Sequence, residues 1–337
     1  MDRRSFVSLA VRAGVGAAGA GTVLAGCGKS TAGAKKQVAA EVRIGDNVAA
    51  TNPEIAAEQH FGQRLAALTN NRYNVKVFPD SALGDASHMN EGLRAGTLEM
   101  TKCLTSNLTP YDKRLGVMSL PYVYAKQQDL FDALDGNLGK ELGKVIDGFD
   151  MVALGFFDSG ARSVYNSKRP IRTPADLKGL RIRVPQDTVA LDTFNTLGAQ
   201  ATALVTNEVL SALQKGVIDG AENNIIFYMT NKHVDYANYY SWTRHQFGTD
   251  VLLASKKWFT GLPKKDKDLV MQAGHEAVVL ERQLWKAQTV EYTASAAANK
   301  VQLIDDVDVA AFQQAIKPVF TKHKDTFGDL MKLLPIS

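Results

Sequence analysis

Two arginines are placed where a cation could serve a ligand. Arg183 lies in Leu180-Arg181-Ile182-Arg183-Val184. That is a strand pattern with apolar residues facing one way and arginines the other. Strand ends beside a sheet crevice are where open α/β proteins hold ligands. A guanidinium is planar and matches both oxygens of a carboxylate. Arg162 follows an apolar strand and a glycine turn in Phe157-Asp158-Ser159-Gly160-Ala161-Arg162. Each arginine also has a plainer reading, as a solvent-facing side chain. Asp219-Gly220-Ala221-Glu222-Asn223-Asn224 is a dense polar turn after a hydrophobic approach. Its carboxamides offer donor and acceptor together, which suits a ligand carrying hydroxyl and carboxylate groups. The same residues would equally cap a helix.

Other chemistries find less support. Asp158 and Glu222 would be acid and base if the chain acted on envelope sugars, but no supported carboxylate pair stands behind that reading. Asp305-Asp306 sits in a loop-like stretch and is expected to be solvated. Tyr236, Tyr239, Tyr240 and Trp242 read as packing rather than a sugar platform. The six histidines, at 60, 88, 233, 245, 275 and 323, have no metal-site spacing. Neither a phosphate loop nor a nucleophile elbow is present, so no cofactor and no metal is implied. Cys103 has no partner if Cys27 is modified, and reads as a small buried apolar residue. Net charge is +4, and setting Arg3, Arg4 and Arg12 against Asp2 leaves +2 for the rest. That is too little for a nucleic-acid footprint.

The elements that would position these residues alternate. Glu41 to Gly45 is a short strand. Pro53 opens an amphipathic helix carrying Ile55, Ala56, Phe61, Leu65 and Leu68, and Asn70-Asn71 stops it. Tyr73 to Phe78 is a second strand, Ala86 to Leu93 a helix, and Met100 to Leu104 a third strand. This is the alternation of an α/β sheet. The pattern restarts with Met151 to Phe157 and a separate extended piece, Ser163 to Asn166. Thr173 is the N-cap before Pro174. Helices follow at Asp187 to Leu197 and Asn207 to Lys215, the latter ended by Gly216. Val217 to Gly220 runs into a turn, and Asp250 to Ser255 is a strand. From Pro263 to Ala298 no proline intervenes. Leu269, Ala273, Ala277, Leu280, Leu284, Ala287 and Val290 make its apolar stripe. Such a helix would lie across two lobes or kink at Gly274.

The N-terminus gives an address. Arg3-Arg4, an apolar run from Leu9 to Ala25 and the closing Leu24-Ala25-Gly26-Cys27 make an export signal. The arginine pair resembles a twin-arginine signal. Leu-Ala-Gly-Cys resembles a lipobox, which would lipidate Cys27 and anchor the chain to a membrane. Residues 27–40 would be a flexible tether.

Two blocks carry a family resemblance. One is Pro170-Ile171-Arg172-Thr173-Pro174-Ala175-Asp176-Leu177-Lys178-Gly179-Leu180-Arg181-Ile182-Arg183-Val184-Pro185. The other runs from Asn207-Glu208-Val209 through Ala212-Leu213-Gln214-Lys215-Gly216-Val217-Ile218-Asp219-Gly220-Ala221-Glu222-Asn223. With Ser81-Ala82-Leu83-Gly84 and Leu120-Pro121-Tyr122, the chain resembles the DctP-like solute-binding proteins of TRAP (tripartite ATP-independent periplasmic) transporters, from about Val42 to Ala315. The resemblance implies a two-lobed α/β fold of the periplasmic-binding-protein kind, with hinge strands and a long helix spanning both lobes. Lobe I would take 41–159 and about 248–288, and lobe II 160–247 and about 289–337, after a 1–26 signal. It implies capture of an organic acid for delivery to membrane permease subunits, without catalysis. It places Arg183 as the carboxylate clamp, with Arg162, Asn223 and Asn47 beside it. Lys102, Thr206 and Asp250 fall where the family varies with substrate. Phe157-Asp158-Ser159-Gly160-Ala161-Arg162-Ser163, Gly220-Ala221-Glu222-Asn223-Asn224 and Tyr239-Tyr240-Ser241 look like the branch that takes sugar acids such as uronates. That branch commonly has arginine at Lys102, glutamate at Asp250, and a first-helix histidine where Thr51-Asn52 stand. Thr206 is small where an aromatic often lines the pocket, which leaves room for a polar ligand. C4-dicarboxylates or other hydroxy acids stay open as ligands, and a sensor for a signalling partner stays open as a role.

Overall fold

Val42 and Ile44 alternate with polar neighbours, are fully buried, and open the sheet that organises the chain. The computed structural model describes residues 39–336; the expected export signal, Cys27 and nearly all of the expected tether lie outside them. The strands are β1 (Ala40–Gly45), β2 (Tyr73–Phe78), β3 (Met100–Leu104), β4 (Met151–Asn166), β5 (Arg181–Val184), β6 (Gln200–Ala203), β7 (Gly220–Asn223), β8 (Tyr239–Ser255) and β9 (Gln302–Ile304). Their order is β2-β1-β3-β8-β4-β7-β5-β6, with β9 on β8. One half of the sheet is parallel through β2, β1 and β3, the other through β6, β5 and β7. The long antiparallel strands β4 and β8 join the halves and belong to both.

The two extended pieces expected at 151–157 and 163–166 are therefore one strand of 16 residues. The strand expected from Asp250 begins at Tyr239. Polar residues at the middle of each concealed the continuity, and those of β4 are hydrogen-bonded within the fold. Asp158 accepts from Gly160 N at 2.7 Å, Glu281 accepts from Asp158 N at 2.8 Å, and Asn224 donates to Ser159 O at 2.9 Å. The pairing slips between Asp158 and Ala161, where Gly160 takes φ +66°. The polar turn expected at 219–224 is also a strand, β7, inserted between β4 and β5.

The first helix, Pro53–Leu68, starts at Asn52, whose side chain accepts from Glu54 N at 3.0 Å. Ala57 rather than Ala56 faces the core. Asn70 and Asn71 end the helix in left-handed conformations (φ 53° and 58°). The long helix, Lys264–Ala298, has 35 residues and stays helical through Gly274. At about 1.5 Å per residue it is about 52 Å long. Gly274 permits close packing rather than a kink: a Cβ there would stand 2.9 Å from Leu154 O on β4.

The helix touches two cores. Val270, Ala273, Ala277 and Val278 join Val42, Ile44, Phe61 and Leu252 on one half of the sheet. Trp285 and Ala296 join Tyr165, Tyr228, Tyr240 and Trp242 on the other. The expected stripe drifts off this line, and Val290 is 71% exposed. The buried face passes instead through Glu281, a charged residue that a purely apolar pattern skips. The opposite face of the sheet carries a continuous third core, from Met89 and Leu93 to Ile182 and Phe194. Tyr240 and Trp242 are packing residues as expected, whereas Tyr236 is exposed.

Candidate ligand-binding site

The parallel strands of both halves deliver their carboxyl ends to one place. Asn47 follows β1, Lys102 lies near the end of β3, Arg183 near the end of β5, Thr206 after β6, and Asn223 ends β7. Arg162 and Asp250 come from the long strands β4 and β8. All seven line one cleft. An adjoining cleft shares Asn47, Asn107, Arg183 and Thr206 with it.

Arg183 is 3% exposed, so the solvent-facing alternative does not hold for it, nor for the equally buried Arg162. Arg183 Nε and Nη2 donate to the backbone oxygen of Leu204 at 2.9 and 2.6 Å. Among the described residues no carboxylate forms an ion pair with it. Burial lowers its guanidinium to about 10, so it stays charged at neutral pH. Arg162 is different. Its fork grips both oxygens of Glu222 at 2.7 Å, and Nη1 donates to Asn223 Oδ1 at 3.1 Å. Burial would raise the Glu222 carboxyl, but Arg162 and the hydrogen bond from His245 bring it down to about 2. Glu222 is thus a fixed anion, unsuited to the acid or base role considered for it. Asp158 is engaged with the backbone of Gly160 at the strand irregularity.

The opposite wall has the reverse composition. Lys102 Nζ stands 2.7 Å from Glu54, 3.2 Å from Asp46 and 3.7 Å from Asp250, all buried. Burial alone would lower the Lys102 ammonium, but Asp250, Asp46 and Glu54 hold it well above its ordinary value. Burial lifts the Glu54 and Glu58 carboxyls well above theirs. Two cavity-lining residues present buried polar atoms with no hydrogen-bond partner in the protein, Glu54 Oε1 and Trp285 Nε1. No group of acidic, histidine or cysteine side chains among the described residues is arranged to hold a metal.

The family model for bacterial extracellular solute-binding proteins, family 7, matches residues 44–326. The chain belongs to this family. A family 7 relative, a solute-binding protein of Chromohalobacter salexigens, is 30% identical over 284 residues, covering 84% of each chain. Solved structures agree in shape. A TRAP periplasmic solute-binding protein from a Sulfitobacter species, with bound β-D-galacturonate, superposes with a TM-score of 0.84 at 30% identity, covering 87% of this chain and 97% of that one. Another, from Roseobacter denitrificans with bound β-D-glucuronate, gives 0.83 at 30% identity, covering 87% and 98%. The chain is a TRAP solute-binding protein with the two-lobed fold. No helix among its described residues is long and apolar enough to cross a membrane.

The fold brings the seven residues named from the sequence to one cleft. Glu54, Trp285, Asn107 and His245 were not singled out in the sequence. Glu54 looks like an ordinary first-turn acid behind Pro53. Trp285 lies off the apolar stripe expected for its helix. The polar run at 219–224 serves both expected purposes, since Asn223 faces the cavity while Asn224 caps the helix Ile225–Thr230, accepting from Phe227 N at 2.7 Å.

Proposed function

We propose that this TRAP solute-binding protein captures a sugar acid of the uronate kind and hands it to the membrane subunits of its transporter. The observation that carries the reading is Arg183, a buried guanidinium on the cavity wall with no carboxylate partner among the described residues. A buried cation without a counter-charge is costly unless the ligand supplies one. Arg162 and Asn223 stand beside it and would take the far side of the carboxylate or a neighbouring hydroxyl. Asn47, Lys102, Thr206 and Asp250 would meet the remaining hydroxyls. The bound galacturonate and glucuronate of the similar structures support the same class. The protein would bind and release its ligand unchanged, without catalysis. Lobe I would comprise 41–159 with about 248–288, and lobe II 160–247 with about 289–337, the two swinging together over the acid. A lipid on Cys27 would keep the protein near the permease, after export by the twin-arginine or general route.

Calorimetry with D-glucuronate and D-galacturonate tests the assignment. Arg183→Ala should weaken binding by about 30- to 4,000-fold, the cost of removing one partner of a buried charge pair. Arg183→Lys should also weaken it, because a point charge does not replace a planar fork. The neutral amide of the bound acid should bind poorly to the wild type and lose little further in Arg183→Ala. Wild-type affinity in both variants would remove Arg183 from the site.

A further inference from the structure

We infer that the cavity selects for a single negative charge, and that the Glu54–Lys102–Asp250 wall rejects ligands carrying a second carboxylate at the end remote from Arg183. The inference rests on the sugar-acid reading and narrows it. Charge around the cavity is distributed unequally. At one end, Arg162 is neutralised by Glu222, so Arg183 is the one cation there with no carboxylate partner among the described residues. At the other end four buried carboxyl groups, Asp46, Glu54, Glu58 and Asp250, surround the one ammonium of Lys102. Three of them lie within 4 Å of that ammonium. Lys102 has no remaining charge to offer a ligand. A second carboxylate there would enter a wall already rich in carboxyls, and like charges brought together in a buried site are strongly disfavoured.

The unpartnered atoms of the cavity wall point to what is accepted instead. Glu54 Oε1 is a carboxyl oxygen with no donor, and Trp285 Nε1 is a donor with no acceptor. A hydroxyl group both donates and accepts, so it can satisfy either without adding charge. The ligand that matches is a monocarboxylate whose other end bears hydroxyls. Aldaric acids and C4-dicarboxylates carry their second charge into the wrong environment. Asp250 is therefore a specificity-determining residue, lining the cavity as the carboxylate that a second anion would meet, with Glu54 offering an oxygen to the ligand's hydroxyls.

Calorimetry at neutral pH, with D-glucuronate and D-glucarate as probes, tests this. The wild type should bind D-glucuronate at least about 100-fold more tightly than D-glucarate. Asp250→Asn removes one carboxylate and should shrink that ratio at least about tenfold. Thermal unfolding of the unliganded variant shows whether it folds; Asp250→Ser provides the same comparison if Asp250→Asn is unstable. D-Glucarate binding as tightly as D-glucuronate would overturn the inference and leave the sugar-acid reading standing. A ratio unchanged in both variants would show that shape rather than charge discriminates, and would overturn it too. Binding of neither probe would overturn the inference together with the reading beneath it.

Discussion

Glu222 and Glu58 are both fully buried, yet their environments drive them in opposite directions. Glu222 is held down to about 2 despite its burial, because Arg162 encloses it. A carboxyl depressed on folding adds stability above its ordinary value near 4.5. That contribution fades as pH falls towards about 2. Glu58 lies beside Asp46, and burial, with the neighbouring Asp46 charge, raises it well above 4.5. A carboxyl raised on folding contributes most below its unfolded value, and the contribution is lost as pH climbs towards its folded one. Glu58→Gln keeps the shape of the protonated side chain and removes its titration. In urea unfolding, the variant should gain on the wild type as pH rises above about 4.5. A stability difference that stays constant over that rise would mean that Glu58 is not shifted. None of this was legible in the sequence, where Glu58 is one more polar residue on an amphipathic helix. Arg183 and Arg162 were legible because each interrupts an apolar context with a group that has one well-defined partner chemistry.

Among the elements, the long helix shows best how a residue's neighbours reverse its ordinary preference. Replacing glycine by alanine inside a helix normally stabilises it by about 1 kcal/mol. At Gly274 the new Cβ would meet Leu154 O at 2.9 Å and Leu154 Cβ at 3.1 Å, and a backbone oxygen cannot turn aside. At Gly143, in the helix Asn137–Asp147, nothing stands within 4 Å. Gly143→Ala should therefore raise the midpoint of thermal unfolding, and Gly274→Ala should lower it by forcing the helix off β4. A stabilised Gly274→Ala protein would show that the helix–sheet contact yields. The sequence revealed that this helix exists and roughly where it ends, since length without proline is a local property. It did not reveal which face is buried, because that face includes Glu281 and Gly274. The same limit hid the continuity of β4 and β8. The central polar residues of β4 look like a turn until Glu281 and Asn224, distant in sequence, are seen to bond its backbone.

For the whole molecule, we expect bending at the irregular middle of β4, where its pairing with β8 slips. Small-angle scattering should record a smaller radius of gyration with a saturating sugar acid than without one. An unchanged radius alongside calorimetrically proven binding would exclude closure. The shared strands also govern the order in which the chain can fold. Met100 of β3 pairs with Ala254 of β8, and β8 separates β3 from β4 in the sheet. While the ribosome is still making the segment before Tyr239, β3 has only β1 on one side, and its other edge is open. β4 can pair with β7 once Asn223 is made, but its β8 side stays open for as long. Neither half of the sheet can be finished by its own residues in order of synthesis. An open strand edge invites pairing with other chains, and contacts this distant in sequence form slowly. The nascent chain therefore passes through a long interval in which a chaperone that shields extended backbone would determine how much of it matures.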